Sequence, residues 1–310
     1  MVLAVVIPCH NVARHIEEVV NGIPENVSWI VAVNDCSTDD TDILLRRMEQ
    51  HNKRLVVVRH SKNKGVGGAM LSGYAKSLEL KADISIKMDG DGQMDPHYLP
   101  ALLKPLLDEQ ADFTKGNRFR DLRALQAMPI SRRIGNTGLS FIIKAASGYW
   151  NVFDPTNGYT AIKNEILREM DLSRIHHRYF FETSMLLELY YRNAVIKDVP
   201  MKAKYGDEVS GLSRTRTLIE FPPKLLKAFF RRIALMYFLY DFNIASIFLL
   251  CGLPLFLFGI GFGVFNYIKY AASHLPAPTG TVVIPTLLII LGFQLLLSAI
   301  SYDIGNYPKK

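Results

Sequence analysis

Short apolar runs alternate with segments of helical periodicity along the first part of the chain. The runs that predict strands are VLAVVIP at 2–8, WIVAVND at 29–35, RLVVVRH at 54–60 and ADISIKMD at 82–89. Between the first two runs, Ile16, Val19, Val20 and Ile23 recur at helical spacing. A glycine-rich turn and a helix, NKGVGGAMLSGYAKSLEL, follow the third run. Strands that alternate with helices predict an α/β fold with a mostly parallel, doubly wound sheet.

Polar residues and glycines follow each of these predicted strands. Pro8, Asp35, the segment 63–68 and the segment 89–93 come where the four strands end. Because ligands of a parallel sheet bind beyond the carboxyl ends of its strands, we expect these positions to share one crevice.

Two long stretches without charge follow further along the chain. Residues 243–268 and 281–301 contain no Asp, Glu, Lys or Arg, and each reaches the roughly 20 residues needed to cross a hydrocarbon core. They predict two transmembrane helices. Buried helices of a large soluble core are the alternative, but such helices seldom run so long without a charge. Glycines 259, 261 and 263 would allow close helix approach, and a homo-oligomer formed through these helices is a hypothesis.

The basic residues are concentrated just before the first of these stretches. The chain has a formal net charge of +7 and a pI near 9.2. At 213–242, Lys and Arg mix with Phe, Leu and Ile at helical spacing, which predicts amphipathic helices on an anionic inner leaflet. An ordinary surface helix is the alternative. We therefore expect membrane lipid, and no nucleic acid, to be the anionic surface that this protein meets.

The distribution of positive charge also predicts the orientation in the membrane. The loop between the two stretches contains Lys269 and no Arg, whereas Lys224 and Arg231 precede the first stretch and Lys309 and Lys310 follow the second. By the positive-inside rule, both termini are expected in the cytosol of an integral protein of the inner membrane or its equivalent. The initial run MVLAVVIP has no charged leader and is too short for a signal peptide. The three cysteines form no CxxC pair, which suits a reducing compartment.

The fourth predicted strand ends in the acidic sequence KMDGDGQMDP at 87–96. Asp89, Asp91 and Gln93 alternate there, and alternate residues of an extended chain share a face. Oxygen ligands without a nearby His or Cys suit Mg²⁺ or Mn²⁺ held against a diphosphate, although a solvated acidic turn would have the same sequence. An EF-hand is excluded because Met94 stands where its turn glycine would be. A complete dinucleotide fingerprint and a GxxxxGK loop are also missing from the sequence.

Six short motifs occur in one order: VVIPCHN, VNDCSTDDT, NKGVGGAM, KMDGDGQMDP, KGNRF and DPTNGY. In this order and spacing they resemble the family-2 glycosyltransferases of GT-A fold, over residues 2 to 212. The Asp-x-Asp-x-Gln form of the acidic motif, and two C-terminal spans after a basic segment, are similar to the polyprenyl-phosphate glycosyltransferases within that family. The resemblance implies a cytosolic GT-A domain at 1–212, interface helices at 213–242 and a two-span region at 243–310. It also implies a UDP- or GDP-linked sugar as donor and undecaprenyl or dolichyl phosphate as acceptor.

The resemblance implies a nucleotide-sugar site and a metal site. The positions implied to bind the nucleotide sugar are Pro8, Asn11, Asp35, Lys64, Gly65, Asp89 and Lys204. Among them, Asp35 is expected to accept a hydrogen bond from a base N–H. Asp89, Asp91 and Gln93 are implied to hold Mg²⁺ or Mn²⁺ against the diphosphate.

Three arginines are candidates for the two positions that the resemblance implies at the acceptor. Arg118, in GNRF, corresponds to the arginine assigned to the acceptor phosphate, and Arg132 or Arg133, in SRRIGN, to its partner. Together with Asp91 they form the implied catalytic set. Guanidinium groups suit this task because they bind phosphate oxygens through paired, charge-assisted hydrogen bonds.

The chain departs from the family pattern in two places. It has PCHN followed by Val12 where the family usually begins PxYNE, which leaves the base and the sugar unassigned. The segment after Lys204, YGDEVSGLS, matches the family's R-x-x-G-x-S-K segment only loosely. In DPTNGY, the resemblance implies that Asp154 and Asn157 shape the sugar and acceptor pocket. An ordinary turn would have the same sequence, so both interpretations stay open.

The implied reaction is an in-line displacement with inversion at C1 of the sugar. A phosphate monoester, whose second pKa is about 6, is largely dianionic at neutral pH, so no strong base is required. Transfer to a hydroxyl of a lipid-linked glycan or polysaccharide is the alternative; it needs a base, and Glu182 is the candidate. A processive synthase is disfavoured because neither Trp29 nor Trp150 lies in a QxxRW segment. A non-enzymatic scaffold is disfavoured because the metal-binding positions are intact.

Overall fold

The structure is a computed structural model that describes residues 1–120, 130–178, 180–202 and 214–309. The chain divides into two compact units. The first comprises Met1–Phe229 and Pro308–Lys310, and the second comprises Phe230–Tyr307. The finer division expected from the sequence, at 212 and 242, stays a prediction.

A single sheet forms the centre of the first unit. Among the described residues its seven strands are β1 (Leu3–Cys9), β2 (Trp29–Asn34), β3 (Leu55–Arg59), β4 (Ile84–Lys87), β5 (Phe113–Asn117), β6 (Thr160–Lys163) and β7 (Ile196–Pro200). They lie in the order β3-β2-β1-β4-β6-β5-β7. The strand pairs are parallel except where β6 pairs with β4 and β5. The prediction of a mostly parallel α/β sheet is therefore confirmed.

The antiparallel strand β6 was not predicted from the sequence. Its run, TAIK, is four residues long and follows the turn at 154–159 directly. The four residues are buried because the strand lies between β4 and β5. A run so short, without alternation, has no periodicity that the sequence could display.

Helices connect and cover these strands. In the first unit they are α1 (Ile16–Asn21), α2 (Thr41–His51), α3 (Gly65–Glu79), α4 (Leu99–Leu107), α5 (Ile130–Ser147), α6 (Asn164–Glu169) and α7 (Phe181–Tyr191). The predicted helical face of α1 is correct, since Ile16, Val19 and Val20 are buried. Helix α3 packs against β1 and β2, where Gly73 leaves no room for a side chain because a Cβ would lie 2.2 Å from a methyl carbon of Val6.

The predicted basic segment forms helix α8 (Arg214–Ala234), followed by one π-helical turn at Leu235–Leu239. Up to Phe229 this helix belongs to the first unit. There Phe221 packs edge to face against Phe180, with ring centroids 5.3 Å apart.

Two long helices, α9 (Ile244–Ser273) and α10 (Thr279–Gly305), form most of the second unit. Both are long and apolar enough to cross a membrane, as the two uncharged stretches predict, and most of their apolar side chains are exposed. Helix α9 begins with a capping box in which the Asn243 side chain accepts from a backbone N–H and Ser246 Oγ accepts from the backbone N–H of Asn243.

The glycines of these helices allow close packing within the hairpin. A Cβ on Gly292 would lie 2.5 Å from the backbone nitrogen of Phe256, and a Cβ on Gly259 would lie 3.0 Å from Ile289. Gly263 faces Pro285, whereas a Cβ at Gly261 would meet open space. Two of the three glycines from which an oligomer was hypothesised therefore contact the neighbouring helix of the same chain, and the oligomer itself stays a hypothesis.

A buried ion pair joins the start and the end of the second unit. Arg232 Nη1 and Nη2 lie 2.6 and 2.9 Å from the two carboxylate oxygens of Asp303. The hydroxyl of Tyr237 also bonds to that carboxylate. The Arg232 side chain is fully buried, so the second unit contains a polar contact that the hydropathy of the sequence does not reveal.

Candidate functional site

The carboxyl ends of the strands place most of the predicted site residues. Pro8 lies in β1 opposite Val33 of β2, and Asp35 follows β2 directly. Asp89 comes after β4, and Arg118 after β5. The sequence patterns thus predicted correctly that polar residues follow the strands at one edge of the sheet.

Asp35 is almost fully buried, and both of its carboxylate oxygens accept hydrogen bonds from the chain. Oδ1 accepts from the backbone N–H of Lys64 at 2.8 Å, and Oδ2 accepts from that of Gly65 at 2.7 Å. His60 Nδ1 lies 2.7 Å from Oδ1, and His60 Nε2 lies 2.8 Å from Ser72 Oγ. Asp35 therefore fixes the turn that precedes α3. Its contact with a base N–H stays a prediction.

Asn11 ties the end of β1 to the loop after β2. Its Oδ1 accepts from the backbone N–H of Thr38 at 2.8 Å, and its own backbone N–H donates to Ser37 Oγ at 3.1 Å. The residue has a φ of +56°, which Asn tolerates better than most residues. Nearby, His10 Nδ1 lies 3.1 Å from the carbonyl oxygen of Asp35. Asn11 thus holds the end of β1 against the loop after β2, and its contact with a nucleotide sugar stays a prediction.

The glycine-rich segment is packed against the backbone of two histidines. A Cβ on Gly67 would lie 2.1 Å from the carbonyl oxygen of His176, and one on Gly65 would lie 2.7 Å from that of His177. The N–H of Gly68 donates to the His177 carbonyl at 3.0 Å. Glycine at 65 and 67 permits this close approach, and helix α3 begins inside the segment, at Gly65.

One pocket of the first unit is lined by both the acidic motif and Arg118. Asp89, Asp91, Gln93, Arg118, Asn157 and Lys202 are among its lining residues. The motif turns sharply there, since Gly92 has a φ of +73° and Asp91 Oδ1 accepts the N–H of Gln93 at 3.0 Å. The residues predicted to hold a metal and the arginine predicted to meet the acceptor phosphate are therefore brought together.

Arg118 is held by Asp154. Its Nε lies 2.8 Å from Asp154 Oδ2, and its Nη2 lies 3.1 Å from Asp154 Oδ1. The Asp154 side chain is fully buried, whereas 37% of the Arg118 side chain is exposed. A bidentate pair of this kind fixes the plane of the guanidinium group. Asp154 is therefore more than a turn residue, which the sequence left undecided.

Two buried lysines lie next to this pocket. Lys87 Nζ lies 2.5 Å from Asp89 Oδ1 and 3.7 Å from Glu182 Oε1, while the ammonium group of Lys115 bonds to the carbonyl oxygen of Asn157. Burial lowers the pKa of Lys115 to about 8, although Glu182 attracts its proton. Burial also acts to lower the pKa of Lys87, but Asp89 and Glu182 outweigh it, so that pKa is raised.

Sequence reasoning missed both lysines. The signal was present, because each lies within a strand whose neighbouring residues are buried, in ISIK and FTKGN. A lysine is seldom fully buried unless its charge is paired. A lysine inside an otherwise enclosed strand therefore predicts a buried partner, which the sequence alone does not identify.

Three predicted residues are not placed by the structure. Arg132 and Arg133 lie on the backbone of α5, but their side chains lie outside what the structure describes, and Lys204 lies outside the described residues. Lys202 lines the pocket, and its backbone N–H donates to the hydroxyl of Tyr98 at 3.1 Å.

The donor set of the pocket fits a hard divalent cation. Asp89, Asp91 and Gln93 offer carboxylate and amide oxygens, the ligands that Mg²⁺ and Mn²⁺ prefer. Within the described part of the chain, no three His, Cys, Asp or Glu side chains are grouped to hold a metal ion. A cation here would therefore need the Gln93 oxygen or oxygens of a bound diphosphate. Magnesium sites in phosphate-transferring enzymes are commonly completed in that way.

Comparison with known proteins gives a family and named relatives. Residues 4–171 match the family described as glycosyl transferase family 2. The UDP-N-acetylglucosamine–dolichyl-phosphate N-acetylglucosaminyltransferase of Methanococcus voltae is 29% identical over 243 residues, which cover 74% of this chain and 94% of that protein. The undecaprenyl-phosphate mannosyltransferase of Micrococcus luteus is 29% identical over 182 residues, covering 58% and 73%.

A solved structure confirms the expected GT-A fold. Glucosyl-3-phosphoglycerate synthase from Mycobacterium tuberculosis, crystallised with Mn²⁺, UDP and glucosyl-3-phosphoglycerate, superimposes with a TM-score of 0.54. The two chains are 21% identical, and the match covers 74% of this chain and 79% of the other. At this level of identity the likeness concerns the fold.

Proposed function

Because the chain belongs to glycosyl transferase family 2 and is a glycosyltransferase, we propose that it transfers a sugar from a nucleoside diphosphate to the phosphate of a polyprenyl phosphate. The acceptor is undecaprenyl or dolichyl phosphate, and the product is a lipid-phosphate-linked sugar for later glycan assembly. The observation that best supports this proposal is the pocket that joins the acidic motif to Arg118.

The basic side of the pocket suits a phosphate acceptor. Arg118 is oriented by Asp154, and Lys202 lines the same pocket. Arg132 and Arg133 follow along the chain on α5 and are proposed to supply a further guanidinium group. A dianionic phosphate placed among these cations is bound by charge as well as by directed hydrogen bonds. A sugar hydroxyl is uncharged, so its binding would not require these cations.

The names of the relatives also support a lipid phosphate as the acceptor. Those of Methanococcus voltae and Micrococcus luteus both specify a lipid phosphate, but they specify different sugars. They therefore support the acceptor class more strongly than any one donor. The proposed donor is a UDP- or GDP-linked sugar, whose nucleoside would lie near Pro8, Asn11, Asp35 and the turn at 64–65.

The residues of this chain would bind and orient the reactants. Arg118 would direct an oxygen of the acceptor phosphate toward C1 of the sugar, and Asp154 keeps Arg118 in place. No protein base is needed, because the attacking oxygen already carries negative charge at neutral pH. Asp89, Asp91 and Gln93 would hold Mg²⁺ or Mn²⁺, which when bound offsets the charge on the leaving diphosphate. Displacement from the opposite face gives inversion at C1.

The location of the reaction follows from the proposed topology. We place the catalytic domain, residues 1–212, and both termini in the cytosol, with α8 at the membrane surface. Its Arg231 and Lys227 would meet anionic headgroups. A lipid acceptor could then present its phosphate at the surface while its hydrocarbon chain stays in the bilayer.

The test is transfer of radiolabelled sugar from a panel of nucleotide sugars to undecaprenyl and dolichyl phosphate. We expect a labelled lipid that is cleaved by mild acid, with activity reduced at least about 100-fold by Asp91→Ala or by a chelator. Arg118→Lys should lower kcat/KM for the acceptor about 10–100-fold, because an ammonium group cannot form the paired hydrogen bonds of the guanidinium.

The matched control is Asp171→Asn, since Asp171 pairs with Arg174 on the surface, and it should leave transfer unchanged. If no donor yields labelled lipid although nucleotide binding is intact, the acceptor proposal is wrong. Transfer to a glycan hydroxyl would then be the better hypothesis, with Glu182→Gln as the next variant.

A further inference from the structure

The Lys87 side chain is buried beside the pocket, next to Gly158 and Asp89. Only 1% of this side chain is exposed. A Cβ on Gly158 would lie 2.3 Å from Lys87 Nζ and 2.8 Å from Asp89 Oδ2. Glycine at this position lets the backbone cover the Lys87–Asp89 pair directly. The ammonium group therefore has little freedom to leave Asp89 Oδ1, which lies 2.5 Å away.

Glu182 provides a second negative charge for this lysine. It lies in the first turn of helix α7, with Oε1 3.7 Å from Lys87 Nζ and 18% of its side chain exposed. Glu182 also attracts the proton of Lys115, the other buried lysine, while the two lysines repel each other. Two ammonium groups and the carboxylates of Asp89 and Glu182 thus lie in one cluster, to which Asp91, Asp154 and Asp198 add further negative charge.

We propose that Lys87 is a positioning residue of the transfer site, whose ammonium group occupies Oδ1 of Asp89 and so limits Asp89 to one oxygen toward a bound cation. In this arrangement Glu182 is the counter-charge that keeps Lys87 in place, and it does not act as a base. The inference rests on the proposed function, since it assumes that the acidic motif binds a divalent cation.

Two consequences of opposite sign follow from electrostatics. Removal of the Lys87 charge releases Asp89 Oδ1 and removes a cation from beside the metal site, so the cation should bind more tightly. Removal of the Glu182 charge takes one negative charge from beside the buried ammonium groups, which then repel the cation more strongly, so the cation should bind more weakly. Charges a few ångströms apart in a protein interact more strongly than in water, which makes both effects measurable.

The experiment measures Mn²⁺ binding to the full chain in detergent, by the electron paramagnetic resonance signal of free Mn²⁺. The variants are Lys87→Met and Glu182→Gln, which keep approximate size. We expect Lys87→Met to lower the Kd for Mn²⁺ about 3–10-fold and Glu182→Gln to raise it by a similar factor. Transfer by Lys87→Met should nevertheless have a kcat at least about 10-fold lower, because Asp89 loses its orientation.

Lys163→Met is the matched control, because Lys163 is also largely buried and pairs with Glu109 at 2.5 Å, on β6. Its Kd for Mn²⁺ should equal that of the wild type. Equal Kd values for Lys87→Met and the wild type, or a higher one for Lys87→Met, would overturn the inference. If Lys87→Met does not fold, the Glu182→Gln variant tests the inference in its place. An unchanged Kd for Mn²⁺ together with loss of transfer would indicate that Glu182 acts as a base, and would overturn the inference.

The outcomes separate this inference from the proposed function. If the wild type forms labelled lipid and the variants bind Mn²⁺ with the same Kd as the wild type, only the role of Lys87 is contradicted. A wild type that forms labelled lipid but binds no Mn²⁺ overturns the inference and the metal site together, while the acceptor proposal stands. A wild type that binds Mn²⁺ with the expected variant effects but labels no lipid supports the inference and contradicts the acceptor.

Discussion

At the scale of single residues, the orientation of Arg118 depends on a buried carboxylate. Asp154 is fully buried and bonds to both Nε and Nη2 of the guanidinium group. We expect Asp154→Asn to raise the acceptor KM about 10-fold or more, since the amide cannot accept both bonds. The free energy of unfolding should fall by only about 1–3 kcal/mol, because Arg118 is partly exposed.

Steady-state kinetics with varied acceptor, together with thermal unfolding, would check this prediction. Asp171→Asn is again the suitable control, because it removes an exposed carboxylate from an Asp–Arg pair. An Asp154→Asn variant with lower stability but unchanged acceptor KM would mean that Asp154 serves the fold alone.

Lys115 makes stability depend on pH. Burial lowers its pKa from 10.5 to about 8, so below pH 8 the folded protein bears the full cost of a buried ammonium group. Between about pH 8 and 10.5 the unfolded chain binds the proton and the folded protein does not, so stability rises with pH. Lys115→Met removes this dependence. From pH 7.5 to 9.5 we expect the wild type to gain about 2 kcal/mol relative to the variant.

Thermal unfolding of both proteins across that pH range would measure the gain. Lys163→Met is the control with the opposite sign, because ion pairing with Glu109 outweighs burial and raises the pKa of Lys163 above 10.5. The stabilising effect of the Lys163 ion pair is fully present below pH 10.5. The difference in stability between Lys163→Met and the wild type should therefore stay constant across the measured range. A constant difference for Lys115→Met as well would contradict the lowered pKa.

At the scale of elements, helix α3 depends on contact with the segment at 176–177. Gly67→Ala would place a methyl group 2.1 Å from the carbonyl oxygen of His176, and one of the two backbones must move. We expect a loss of about 1–3 kcal/mol in stability. Nucleotide binding should weaken too, because the turn at 64–65, held by Asp35, begins the same helix.

Gly138→Ala is the matched change, since Gly138 lies in helix α5 with nothing within 4 Å of a Cβ placed there. That variant should be neutral or up to about 1 kcal/mol more stable, as Ala favours helix over Gly. Melting temperatures and nucleotide Kd values of the two variants would check the contrast. Equal stabilities would show that the backbone at 176–177 can move away at no cost.

At the scale of the whole molecule, the second unit depends on the Arg232–Asp303 pair. Asp303→Asn would leave the buried guanidinium group without its counter-charge, and we expect a loss of about 3–5 kcal/mol. The double change Arg232→Met with Asp303→Leu removes both charges and should be less harmful than either single change. Melting temperatures in detergent would test this order. A double variant as unstable as the sum of the two singles would contradict it.

The sequence alone determined the features that depend on local pattern. Apolar runs predicted the parallel strands β1 to β4, because a strand enclosed on both faces must be apolar throughout. The absence of charge over two long stretches predicted helices α9 and α10. The acidic residues after the fourth strand predicted clustered oxygen ligands, but the structure brings Asp89, Asp91 and Gln93 together through a turn at Gly92 and not along an extended strand.

Only the tertiary structure decided which distant residues meet. Asp154 lies 36 positions from Arg118, and Glu182 lies 95 positions from Lys87 (182 − 87), yet each pair is in contact. Likewise, both carboxylate oxygens of Asp35 accept hydrogen bonds from backbone N–H groups of the turn at 64–65. The physical reason is that a charge in a sequence has many compatible partners, whereas the order of the strands, including the antiparallel β6, brings only a few within hydrogen-bonding distance.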